Sequence, residues 1–181
     1  MRHRTLLAPL ALTAALLGTH PASAANAAAP QPVSADARSD AQGWEPAPSA
    51  PWDVGAGVRC DFPVHGEPVV DEVEQRVLST HPDGTARWVA YRGDLVIRVT
   101  NTDTGASHDA DASGSALVEY RDDGSQFWAV HGPVLVGLAT GNLPRGLYII
   151  DGAYTMDIGT DGSKNIALTH ATTDDLCARI D

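Results

Sequence analysis

The sequence predicts an all-β domain, a single antiparallel β-sandwich or barrel held by one disulfide. Three observations carry this. From about Asp53 onward, short runs rich in β-branched and aromatic residues recur, separated by Gly, Asp, Asn and Pro clusters. No stretch places apolar residues at helical spacing over the length of an ordinary helix. Cys60 and Cys177 stand near the two ends of this region. The turn spacing predicts about eight to ten strands in one domain over residues 53–181.

In chain order, VRCDFPV (Val58 to Val64) alternates around Cys60 and Phe62 and reads as the first strand. DEVEQRVLST reads as a strand through Val73 and Val77, with a short helix as the alternative, and HPDG ends it with turn chemistry. TARWVAY and DLVIRVTN follow, the second alternating Leu95, Ile97 and Val99 against Val96, Arg98 and Thr100. TDTG turns the chain. ASHDADA and ALVEY read as two arms of a hairpin with SGS at its tip, and RDDG is the next turn. QFWAV, VLVGLA and GLYIIDGAYTMDI continue the pattern, TDGS turns again, and NIALTHA is the last strand. TTDDLCARI predicts one helical turn, N-capped by Thr172 or Thr173.

The beginning of the chain has a different character. Arg2, His3 and Arg4 are followed by an apolar run from Leu6 to Gly18 and by small residues Ala22 and Ala24. This is the layout of a cleaved secretory signal over residues 1–24. The run is too short to span a bilayer, which needs about 20 apolar residues. No Cys marks lipid attachment and no Arg pair marks the twin-arginine route. Residues 25–52 are rich in Ala, Pro, Ser and Asp and read as a flexible spacer, with Trp44 and Trp52 as docking candidates. No membrane insertion is expected of the released chain, and the expected location is extracellular.

The formal charge is −11, and cleavage of the leader takes it to about −13 through loss of Arg2 and Arg4. Such an acidic chain is a poor partner for nucleic acid, whose phosphates are bound by displacing counterions with Lys and Arg. Lys164 is the only lysine. In an oxidising compartment, two cysteines at the ends of one domain predict a Cys60–Cys177 disulfide. Neither sits in a Cys-x-x-Cys pair or beside a His, so a catalytic or metal role is not indicated.

Candidate sites are few. Asp109, Asp111, Ser113, Gly114 and Ser115 match the first seven positions of an EF-hand loop. Tyr120 occupies the twelfth position, where a bidentate Glu is needed, and both flanks are β-type. Asp109 and Asp111 remain weak calcium candidates on one strand face. DTGAS (Asp103 to Ser107) has the form of an aspartic-protease loop, but no second Asp-Thr/Ser-Gly supplies the partner carboxylate. No Gly-x-Ser-x-Gly elbow and no His-Glu-x-x-His pair occurs. His65, His81, His108, His131 and His170 are scattered. Trp88, Tyr91 and Trp128 are the candidate ligand face, a sugar platform on a sheet, with Tyr148 and Tyr154 in the same class; core packing is the alternative for all five.

Cys60, Asp61, Phe62, Pro63 and Val64 form a Cys-x-Phe-Pro-x start. Asn101, Thr104, Gly105 and Ser107 form a central Asn-x-x-Thr-Gly-x-Ser, and a late Cys stands in DDLCARI. With the leader and spacer, this pattern resembles small secreted β-rich proteins of actinobacteria, over roughly residues 58–181. The resemblance implies a β-rich fold and brings no catalytic residues with it. The expected function is a non-enzymatic β-domain acting as a structural or interaction module outside the cell, without a cofactor. The alternatives are a carbohydrate- or cell-wall-binding module, in contact with polysaccharide, and a secreted hydrolase.

Overall fold

The computed structural model describes residues 43–181, so the leader over residues 1–24 and most of the expected spacer lie outside the described residues. The strands are β1 (Glu45–Pro46), β2 (Trp52–Val54), β3 (Val64–Asp71), β4 (Glu74–Thr80), β5 (Ala86–Arg92) and β6 (Leu95–Asn101). They continue as β7 (Ser107–Asp111), β8 (Ser115–Tyr120), β9 (Gln126–His131), β10 (Val134–Leu138), β11 (Gly146–Ile158) and β12 (Lys164–Asp175). A single helical turn, α1 (Leu176–Arg179), follows β12.

These strands form two antiparallel sheets, as the sequence predicts, and neither closes into a barrel. The smaller sheet runs β2–β3–β6–β7. The larger runs β1–β4–β5–β8–β9–β11, and β11 also pairs with β10 and β12. β9 and β10 lie end to end along the same edge of β11, one pairing with Ala153–Ile158 and the other with Gly146–Ile150. Pro133, which has no N–H to give the ladder, stands in the break between them. Residues 45–54, mostly within the expected spacer, pair in both sheets: Glu45 opposite Gln75, and Trp52 opposite Gly66.

Three expectations are corrected. Residues 58–63 are turns and bends rather than a strand, because Cys60 is drawn out to its disulfide and Gly57 donates to the Cys60 carbonyl at 2.8 Å; pairing starts at Val64. β7 and β8 are not a hairpin. β7 pairs with β6 in the smaller sheet, whereas β8 pairs with β5 and β9 in the larger one. Ser113 and Gly114 turn the corner between the sheets, with the Ser113 hydroxyl hydrogen-bonded to the backbone of Leu95. Finally, β12 continues through Thr172 and Thr173, paired with Asp151 and Ile150, and Asp175 is the N-cap of α1, accepting from the Cys177 N–H at 3.0 Å.

The turns reuse one local solution. In Asp83-Gly84-Thr85, Asp123-Gly124-Ser125 and Asp161-Gly162-Ser163 the Asp carboxylate accepts the N–H of the residue two ahead. The middle residue has φ of +88°, +83° and +78°, a region that glycine enters without steric cost.

β11 divides the interior. Its GLYII start is apolar at successive positions because both faces of that segment are covered. Leu147 and Ile149 face the smaller sheet and pack with Val64, Ile97, Val99, Leu176 and Ile180. Tyr148, Ile150, Tyr154 and Met156 lie on the other face with Val130, Val136, Leu138 and Ile166. The chain end is locked into the first core. Leu176 and Ile180 are fully buried, each contributing about 1.5–3 kcal/mol. The buried Asn101 amide donates to the Ile180 carbonyl at 3.0 Å. Cys60 and Cys177 are joined by a disulfide across a sequence separation of 117.

Candidate functional site

Between the two sheets lies a cleft of ≈ 300 Å³. Its first wall belongs to the smaller sheet. Trp52, Leu95 and Ile97 project from β2 and β6, and Ala112 follows β7. The indole of Trp52 lies over Gly66, where any Cβ would come within 2.2 Å of the ring, so the register opposite Gly66 gives the ring its place. The opposite wall comes from Val134 and Leu135 of β10 and Leu147 of β11.

Two cations meet this apolar space: Arg59, from the turn before Cys60, and Lys164, the first residue of β12. Arg59 lies against β10 at Gly137, where a Cβ would stand 2.7 Å from its Nε. Its Nη1 is buried and has no hydrogen-bond partner. Burial lowers the Arg59 guanidinium from its ordinary value. Lys164 Nζ donates to the Gly137 carbonyl at 2.9 Å. Burial first, and then repulsion by Arg59, lower the Lys164 ammonium.

No carboxylate among the described residues pairs with either cation. Elsewhere Arg87, Arg92, Arg98, Arg121, Arg145 and Arg179 each meet a carboxylate. In a chain of formal charge −11, two adjacent cations without a carboxylate partner in an apolar recess stand apart from those six. Sequence reasoning missed this pair. Its one visible signal was that Lys164 is the only lysine. Nothing in the sequence joins it to Arg59, because only the packing of the two sheets brings them together.

The residues singled out in the sequence fall elsewhere. Trp88, Tyr91 and Trp128 do not share a face. Alternation on β5 puts Trp88 and Tyr91 on opposite sides of the larger sheet. Trp128 stands opposite Val118, which stands opposite Val89, and so shares the side of Tyr91. It packs on the second core, its Nε1 donating to Gln126 at 2.8 Å. Tyr148 and Tyr154 are core residues of the same cluster. Asp109 is held in a two-point pair with Arg98, at 2.7 and 2.8 Å, and Asp111 accepts the N–H of Ser113 at 2.9 Å. Arg98 holds the Asp109 carboxyl below the usual carboxylate range, and no cluster of three or more metal-binding side chains occurs among the described residues.

An open basin of ≈ 470 Å³ at the β4–β5–β8 end is lined by His81, Asp122, Tyr91 and Tyr120, among others. His81 Nδ1 is 2.7 Å from the Asp122 carboxylate and its Nε2 is 2.8 Å from the Tyr120 carbonyl. Both ring nitrogens of His81 are thus engaged by protein oxygens. Tyr91 and Tyr120 share a hydrogen bond at 2.9 Å, and burial, followed by that bond, pushes the Tyr91 phenol up. Asp83 is committed to its turn through Thr85. In this basin His81 and Asp83 are held by protein groups, through Asp122, the Tyr120 carbonyl and Thr85.

Comparison with known protein families, with curated proteins and with solved structures finds no match for this chain.

Proposed function

We propose that this chain is a secreted, non-enzymatic binding module that works outside the cell and holds a small ligand between its two sheets. The carrying observation is the cleft of ≈ 300 Å³, apolar along both walls with the Arg59 and Lys164 side chains directed to it. Ligand sites of other proteins share this composition, an apolar lining with a few convergent polar groups, and this one stands near the lower end of their usual range of about 300–1,000 Å³. Secretion is supported by the leader pattern from Arg2 to Ala24, and the Cys60–Cys177 disulfide suits an oxidising compartment.

A chemically diverse set of small molecules, followed by methyl NMR, tests the reading. Ligands should shift the methyl signals of Ile97, Leu135 and Leu147. Binding that leaves these three unmoved and perturbs another surface would overturn it.

A second reading, contact with a carbohydrate or cell-wall polymer, rests on the outer face of the larger sheet. There Ala90, Leu117 and Ala129, aligned across β5, β8 and β9, floor an open trough of ≈ 550 Å³. Trp88 lies on the same face, one row away beside Glu119 and Phe127. A polymer bound there should be released from a polysaccharide pull-down by Trp88→Ala and not by substitutions in the cleft.

A further inference from the structure

Building on the cleft reading above, we infer that the ligand is a small amphipathic carboxylate, whose anionic head lies between Arg59 and Lys164 and whose apolar body lies along Trp52, Leu135 and Leu147. Three observations converge on this chemistry.

The first is an unmet need. A buried guanidinium nitrogen without an acceptor costs stability, and a second cation beside it adds repulsion. Arg59 Nη1 is in that position, and Lys164 adds its charge nearby. One carboxylate in reach of both would relieve the two costs together. The planar Arg fork matches the two oxygens of such a head, and Lys supplies a point charge beside it.

The second is that, despite a surplus of acids, no carboxylate of the described residues pairs with either cation. The formal charge is −11, and six other arginines of the described region meet carboxylates. Gly137 contributes to the same arrangement: it leaves the room in which Arg59 lies across β10, while its carbonyl anchors Lys164.

The third is size and polarity. A space of ≈ 300 Å³ holds roughly ten water-sized groups. Most of its lining is aliphatic or indole, so a bare inorganic anion would leave the walls unfilled. A head of one carboxylate with a body of about six to eight carbon atoms fills both parts.

The test uses the intact protein with paired probes: octanoate against octanamide, 3-phenylpropionate against its amide, and inorganic phosphate alone. Affinity is read by calorimetry, and position by the methyl signals of Ile97, Leu135 and Leu147. Each carboxylate should bind about ten-fold or more tightly than its amide, with the preference shrinking as salt is raised. Alkanoate and aryl acid then report which body the walls prefer. Arg59→Met should abolish the preference and, without ligand, leave the melting temperature unchanged or higher, because a buried unpaired charge has been removed. Gly137→Ala, which keeps both cations but displaces Arg59, should also weaken the carboxylate.

If amide and carboxylate bind equally in the cleft, the charge inference fails while the cleft reading stands. Phosphate binding as tightly as the organic acids would remove the apolar body from the proposal. A lower melting temperature for Arg59→Met with carboxylate preference intact would make Arg59 a structural residue and overturn its assigned role. If no probe moves the three methyl signals, both the inference and the reading beneath it fall.

Discussion

Replacing both cysteines, as Cys60→Ala with Cys177→Ala, probes what holds this fold closed. The link spans a sequence separation of 117. Chain-entropy reasoning gives the closed loop a contribution of about 4.9 kcal/mol at 25 °C, through restriction of the unfolded chain. Domains of this kind have a total stability of only about 5–15 kcal/mol, so the loss is between a third and nearly all of it. Two features of the structure place the effect on the whole fold. Cys60 is buried in the first core, and Cys177 lies in α1 between the fully buried Leu176 and Ile180. Urea unfolding followed by tryptophan fluorescence measures the difference. The variant should show a midpoint well below that of the parent. It should also show a steeper denaturant slope, because its unfolded chain, no longer cross-linked, exposes more surface. A loss under about 2 kcal/mol with an unchanged slope would refute the argument. Hydrogen exchange confined to α1 and the end of β12 would then show that the link only staples the chain terminus.

Asn101→Ala removes an amide that donates to Ile180 at 3.0 Å and a carbonyl oxygen that accepts from Asp103 at 3.0 Å. The loss should be about 1–3 kcal/mol, read from urea midpoints, with faster exchange at α1. Acid sensitivity follows from Asp83, Asp123 and Asp161, lowered by the hydroxyls of Thr85, Ser125 and Ser163, and from Asp109, lowered by Arg98. Because their folded values lie below the unfolded one, their stabilisation is complete above about pH 4 and disappears as pH falls through the folded values. Stability measured from pH 6 to pH 2 should decline in that window, and Asp109→Asn should flatten part of the decline; a level profile contradicts the reasoning. Calcium should leave the melting temperature equal to that in chelator, since Asp109 is engaged by Arg98 and Asp111 by its own turn. A rise with calcium would show that these carboxylates can be drawn from those partners.

The all-β class, most strand positions and the turns were legible because they depend on neighbours along the chain. Alternation in LVIRVTN places Ile97 and Val99 inside and Arg98 outside without reference to any partner strand. The Asp-Gly-Ser/Thr turns are self-contained, each Asp finding its donor two residues ahead. Pairing was harder. ASHDADA-SGS-ALVEY has every local mark of a hairpin, yet Ser113 binds Leu95 and sends β8 into the other sheet. The aromatic candidates failed as a single face for a similar reason. Composition marks an aromatic as available, while strand register decides that Trp88 and Tyr91 point apart.

The sequence by itself determined the fold class, the cysteine partners and the excess of negative charge, because each follows from local pattern, from the presence of just two cysteines, and from composition. Only the tertiary structure decided where the charge balance is broken. Arg59 comes from a turn beside the disulfide and Lys164 from the start of the last strand, and the two meet only where the smaller sheet packs on β10 and β11. A site assembled across two sheets has no sequence spacing of its own, since its geometry is set by packing between segments that are distant in the chain.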